Sequence, residues 1–284
     1  MELNTPGTEA HDRPPSLQLP SLSPWKQCGG DLWQGFSRWQ LWWLLGMNDI
    51  RQRYRRSRLG QFWITISMGI FVISVGPIYS SLFTIDLPRF LPHFTTSLVV
   101  WAFIASMLND SCLIFVHSEA YLRQERIPKT VFILQLIVRN LFILAHNAIL
   151  IPVVWVIFGI PVTPTVLLVV PGLILVVTNC FLAAIFLSIV CTRFRDLPQI
   201  VNNIVQVAFF TSPILWQRTA LPEHLQFVVD YNPFAGHLGI VAGPLLGEVP
   251  TVGQYVMVLG STLVLALLAL PFFARFRARV VYWL

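Results

Sequence analysis

Between Asp49 and Gly60 the chain reads Asp-Ile-Arg-Gln-Arg-Tyr-Arg-Arg-Ser-Arg-Leu-Gly, a run that holds five of the nineteen basic residues. From Gly60 to Phe83 no charged residue follows. That uncharged stretch is longer than the roughly 20 residues, at about 1.5 Å rise each, that cross a bilayer core. The junction marks the start of a membrane-spanning region. Cationic residues collect on the cytoplasmic side of membrane helices, so it also orients that region. A basic, Tyr-bearing segment is thereby set at the level of an anionic lipid headgroup.

Composition agrees with this start. The chain is 55% hydrophobic and 11% charged, with a mean hydropathy of +0.68. A net charge of +6 raises nucleic-acid binding as an alternative. The arginines, however, lie at the ends of apolar runs, and no recognisable nucleic-acid module carries them. No nucleic-acid partner is expected. Cys28, Cys112, Cys180 and Cys191 show neither a disulfide framework nor zinc-ligand spacing, and read as small buried hydrophobes. Residues 1–30 read as a disordered, Pro- and Ser-rich cytoplasmic tail without a cleavable signal sequence.

Residues 31–58 read as one amphipathic helix lying on the membrane surface. Asp31 with Gln34 is a capping-box-like start. Leu32, Phe36, Trp39, Trp43, Met47, Ile50 and Tyr54 recur at helical spacing, and tryptophan favours the headgroup level. Residues 59–284 then read as an all-α polytopic domain with six membrane helices: about 60–83, 94–116, 131–160, 165–190, 197–216 and 252–273. An even number of spans puts both termini on one side. That side collects seventeen of the nineteen basic residues, against Arg89 and Arg218 on the other, so both termini are expected in the cytoplasm. Residues 217–250 are partly apolar but broken by Gly and Pro. They read as short re-entrant or interfacial helices on the outer face.

Two ionisable residues fall inside the expected spans. Asp110 and Arg139 lie on consecutive antiparallel helices, each roughly 10–12 Å from the inner end at 1.5 Å per residue. Charges at depth are paired or face a polar path, so an Asp110–Arg139 contact is expected. Residues 117–129 are charged and tightly bounded by two spans, which suits a short helix across the cytoplasmic face and the docking of a soluble partner. No Walker A pattern, His-Glu-x-x-His, Gly-x-Ser-x-Gly or metal-ligand cluster is present. No catalytic residue, metal or cofactor is therefore assigned to this chain.

The run from Asp49 to Trp63 resembles the opening motif of the type-2 ABC exporter permeases that move polysaccharides, most closely the O-antigen group. Further stretches carry the same resemblance in order: Glu119-Ala-Tyr-Leu-Arg-Gln with Pro128, Arg139-Asn140 with His146-Asn147, Arg195-Asp196-Leu197, Ser212-Pro213-Ile214, Leu221-Pro222, Asn232-Pro233, and the closing Arg-x-Arg-x-Arg-Val-Val-Tyr-Trp-Leu. The resemblance implies a homodimer in the bacterial inner membrane with two copies of a separate ATPase, which would bind ATP and Mg. The substrate it implies is a polysaccharide on a polyprenyl diphosphate. Residues 117–129 would be the coupling helix, with Glu119, Tyr121, Arg123, Gln124, Glu125 and Arg126 meeting the ATPase. Residues 221–246, with Pro222, Asn232 and Pro233, would form an outer gate.

Arg51, Arg53, Arg55, Arg56 and Arg58, with Tyr54, would admit the diphosphate-lipid; the alternative is that they only orient the first span. Capsule, teichoic-acid or drug export by the same architecture stays open. So does a membrane-embedded, lipid-linked sugar transferase, although Asp49, Glu119, Glu125 and Asp196 are dispersed among arginines. The sugar repeat, the chain length moved and whether export is processive are not written in these residues.

Overall fold

The structure, a computed structural model, describes residues 23–55, 57–82 and 84–284. The regular secondary structure of the described residues is all helical, without a strand. Most of the expected tail, Arg56 of the basic run and Phe83 at the end of the first expected span lie outside them.

An amphipathic pair opens the fold: α1 (Pro24–Ser37) and α2 (Trp39–Tyr54). This corrects the single helix expected over 31–58. The start signal that operates is Ser23-Pro24, with Ser23 Oγ accepting from Lys26 N at 3.3 Å and proline in the first turn. Asp31 is not a start; it is buried in the middle of α1. The bend falls at Arg38, with φ −86° and ψ 46°. It reconciles two halves anchored on different partners, α1 on Thr130 and Arg277, α2 on Gln135 and Arg139. α2 ends at Tyr54, short of Arg58. Gly60, at φ +56°, then makes the left-handed turn into the first long helix.

Among the described residues five helical segments are long and apolar enough to cross a membrane. They are α3 (Phe62–Leu82), α4 (Leu87–Ser111), α7 with α8 (Lys129–Asn147, Leu150–Phe158), a 3-10 turn at Pro164–Leu168 running into α9 (Val169–Arg193), and α13 (Val252–Phe276) continuing to the end of α14 (Val280–Trp283). The expected fifth span, 197–216, is helical only over α10 (Leu197–Thr211). Fifteen residues reach about 22 Å, short of a core of about 30 Å. The second span also shifts. It begins at Leu87 because Pro88 sits in its first turn, where the missing N–H is no loss. It ends at Ser111, where Ser111 Oγ and Cys112 Sγ both bond back to the Leu108 carbonyl. The third span breaks at Ala148–Ile149 because Pro152 cannot donate to, and crowds, the carbonyl four residues back.

α4 is the central helix. It packs against α3, α7, α8, α9, α10 and α12, and 67% of its most apolar stretch is buried, against 17% for α3. α3 presents Ile70, Phe71, Ile73, Ile78 and Leu82 outward, a face suited to lipid. Phe90, Phe94, Phe115 and Phe132 are fully buried beside it in one core. α5 (Ile114–His117), α6 (Glu119–Gln124) and α1 gather with the last residues at one end of the bundle, here the near end. Residues 212–250, including α11 (Phe227–Asp230) and α12 (Pro233–Leu245), form the far end.

Candidate functional site

The near end is built on α7. Its N-cap position is Pro128, which has no side chain to satisfy the first free N–H groups. The carboxylate of Asp31 does so from α1. Its Oδ2 accepts from Lys129 N at 3.2 Å, and its Oδ1 accepts from Thr130 N at 3.1 Å and Thr130 Oγ1 at 2.8 Å. A negative charge there also suits the positive end of the helix dipole. Arg277, just past α13, donates to Asp31 Oδ2 at 3.1 Å and to Gln27 Oε1 at 2.8 Å. The approach of α1 is close because residue 35 is glycine: a Cβ there would stand 2.5 Å from Thr130 Cβ. Cys28, beside this cluster, has its thiol pushed above the usual range by burial, an effect that nearby Arg277 partly opposes.

A second cluster lies three turns along α7. Arg139 Nη2 donates to Asp110 Oδ2 at 2.7 Å and its Nη1 to Asp49 Oδ2 at 3.5 Å. Gln135 Nε2 donates to the same Asp49 oxygen at 2.9 Å, and Asn140 Nδ2 reaches Asp110 at 3.4 Å. So Asp110 and Arg139 meet, and Asp49 of the amphipathic pair joins them. The depth expected for Asp110 is corrected, since α4 ends one residue after it.

The Arg139 guanidinium borders a polar cavity of about 500 Å³. Arg53, Gln52, His117 and Tyr121 also line it. Of the basic residues assigned to substrate uptake, Arg53 faces this cavity, and Arg51, Arg55 and Arg58 are exposed outside its lining. Tyr54 is half-buried. Residues 117–129, expected as one helix, form α5 and α6 joined at Ser118, then an extended stretch to Pro128. On α6, Leu122 is buried as an anchor while Tyr121, Arg123 and Gln124 are exposed, as are Glu125 and Arg126 just beyond. Glu119 pairs with Arg123 at 2.8 Å on its surface.

The far end is organised by Asn232. Its Oδ1 caps α12 by accepting from Phe234 N at 2.9 Å, and its Nδ2 donates to Thr211 O and Ser212 Oγ at the end of α10. Pro233 takes the first turn of α12, and Pro222 precedes a short 3-10 turn. Arg218 and Asp230 form an exposed bidentate pair at 2.9 and 2.8 Å, and that hydrogen bonding raises the Arg218 pKa further. A cavity of about 300 Å³ opens here between His93, Gln217, Arg218, Glu248 and Gln254. His93 lies 3.2 Å from the Pro213 carbonyl.

α10 presents two kinds of residue on its open side. Gln199, Asn203 and Gln206 are exposed there, beside exposed Ile200, Ile204 and Val207. Among the described residues no three His, Cys, Asp or Glu side chains converge as metal ligands. What converges is charge that ties helices together and amides on an open face. The parts that sequence reasoning missed are Asp31, Asp49, Gln135, Thr130 and Arg277. Only Asp31 carried a signal, a lone acid in a helix otherwise rich in Gly and Trp.

Comparison with known proteins agrees with this architecture. The O-antigen export system permease protein RfbA of Klebsiella pneumoniae is 27% identical over 192 residues, covering 66% of this chain and 73% of that protein. A second protein of the same name from that organism is 24% identical over 189 residues. One from Myxococcus xanthus is 24% identical over 184 residues, covering 63% of this chain and 69% of its own. The family model described as ABC-2 type transporter matches residues 40–243, from α2 into α12. With five helices long and apolar enough to cross a bilayer, the chain is a multi-pass membrane protein and belongs to the ABC-2 type transporter family.

Proposed function

We infer that this chain is the permease subunit that exports a polyprenyl-diphosphate-linked polysaccharide of the O-antigen class across the bacterial inner membrane. It works as a homodimer with two copies of a separate ATPase, which binds ATP and Mg. The observation that carries this reading is the open face of α10. Three amides, Gln199, Asn203 and Gln206, stand exposed on a helix packed against two membrane helices, α4 and α9. Lipid cannot satisfy amide donors and acceptors, so such a face belongs against water or protein. In a dimer, the two copies of this α10 face enclose a polar path for a sugar chain. The names of the relatives supply the class of cargo.

On this reading the near end is cytoplasmic. The ATPase docks on α6 through Tyr121, Arg123, Gln124, Glu125 and Arg126. The diphosphate-lipid arrives beside Arg51, Arg53, Arg55, Arg56 and Arg58, whose guanidinium groups suit phosphate oxygens. Arg53, among the described members, lines a polar cavity suited to this. At the far end, Pro222, Asn232 and Pro233 shape the gate.

Deletion of the gene from its own host tests the reading. Surface polysaccharide is expected to disappear and intracellular lipid-linked glycan to accumulate. The tagged chain is expected to co-purify with a nucleotide-hydrolysing subunit. Unchanged surface polysaccharide with altered drug sensitivity would overturn the cargo while leaving the transporter. Absence of any ATPase partner would overturn both.

A further inference from the structure

The α6 helix is followed by only four residues, 125–128, before Lys129 begins α7. Four residues reach at most about 14 Å, so α6 cannot move far without moving the first turn of α7. That turn is held by a side chain from elsewhere. Asp31, 98 residues away in sequence, accepts from Lys129 N and Thr130 N, and its other strong partner, Arg277, lies 246 residues away. Three segments therefore share one carboxylate: the amphipathic α1, the start of α7, and the end of α13. Asp31 is 6% exposed, and Gly35 keeps α1 against Thr130 one turn further on, so the joint is short and closely packed.

We propose that Asp31 is a positioning residue for export, the joint through which displacement of α6 is passed to the amphipathic pair and to the last membrane helix. The proposal rests on the reading above, in which an ATPase docks on α6. The chemistry favours a carboxylate over any neutral side chain. It accepts two backbone N–H groups and one hydroxyl at the positive end of a helix and still pairs with a guanidinium, which an amide oxygen cannot match in charge. Oδ2 accepts from both Lys129 N and Arg277, so the cap of α7 and the tie between α1 and the end of α13 meet at one oxygen, and a shift of one is felt by the other.

The test uses the full chain in its complex with the ATPase, reading ATP hydrolysis by the purified complex and polysaccharide at the surface of the host cell. Asp31→Ala is expected to assemble and hydrolyse ATP within about twofold of the parent, while surface polysaccharide falls by about tenfold or more, the range of a typical coupling energy. Asp31→Asn, which keeps an oxygen acceptor but not the charge, is expected to fall in between. Hydrolysis and export falling together at matched protein level would mean a merely structural role and overturn the proposal, as would unchanged export. If Asp31→Ala does not accumulate in the membrane, Arg277→Gln leaves the cap of α7 in place and tests the other half of the joint. It is expected to lower export with hydrolysis retained, and export at the parent level would overturn the proposal. Failure of the underlying reading looks different: the parent chain itself would then show no associated hydrolysis.

Discussion

At the near end of the bundle, Asp31 and Asp49 of the amphipathic pair reach across to α7 and the residue just past α13, and Arg139 of α7 reaches on to Asp110 of α4. Arg139 and Arg277, with side chains 14% and 17% exposed, complete charge pairs between segments remote in sequence. The far end has no such stitching among the described residues. Its ion pair, Arg218 with Asp230, is only twelve residues apart and sits in the open. There the contact between α9 and α12 is made by backbone, where a Cβ on Gly172 would stand 2.3 Å from the Ile240 carbonyl oxygen. The near end is thus joined by buried charge and the far end by close packing. Charge pairs held largely out of solvent demand one arrangement and are costly to unmake, because removing one partner leaves the other poorly compensated. A packed glycine contact fixes distance but not charge, and so tolerates sliding.

Arg139→Leu is the strongest way to break this contrast. It leaves Asp49 and Asp110 without their shared cation; both keep an amide partner and are about a third exposed, so a loss on the order of 1–3 kcal/mol is expected, seen as lower thermal stability in detergent. Next comes Gly172→Ala at the far end. The obstructing atom is backbone, so α9 and α12 must separate, with an expected loss of about 1–3 kcal/mol. Gly239→Ala is its control. There a new Cβ meets the end of the Gln254 side chain, which can swing away by giving up its bond to Thr251 N, and a loss of about 1 kcal/mol or less is expected. If Gly239→Ala proves as damaging as Gly172→Ala, packing at the far end is not decided by backbone contact. Asp110→Asn should lie below Arg139→Leu, since Asp49 still pairs with the arginine; a larger effect would reassign the centre of the cluster to Asp110. The smallest change is expected for Arg218→Ala. The pair is exposed and screened by salt, so the melting temperature should not move. A clear drop in the melting temperature would end the contrast between the two ends.

The long apolar runs, the basic junction before Gly60 and the crossing-length helices follow from the chain alone, because bilayer thickness and the absence of water leave local hydrophobicity little to negotiate. The Asp110–Arg139 contact was legible for the same reason: two lone charges on adjacent apolar helices have few partners. Helix ends were less legible, since Pro88, Pro152 and the side-chain bonds at Ser111 and Cys112 shift them by several residues. The length of α10 was not legible either. Its apolar character runs on to Trp216, but the chain leaves the helix at Ser212 and turns toward Asn232. Only the tertiary structure decided what Asp31, Asp49 and Arg277 do. Their sequence neighbourhoods read as a helix start, a charge beside an arginine run and a basic tail. Their partners lie as far as 246 residues away, and no local pattern encodes a contact that exists only once α1, α7 and α13 have come together.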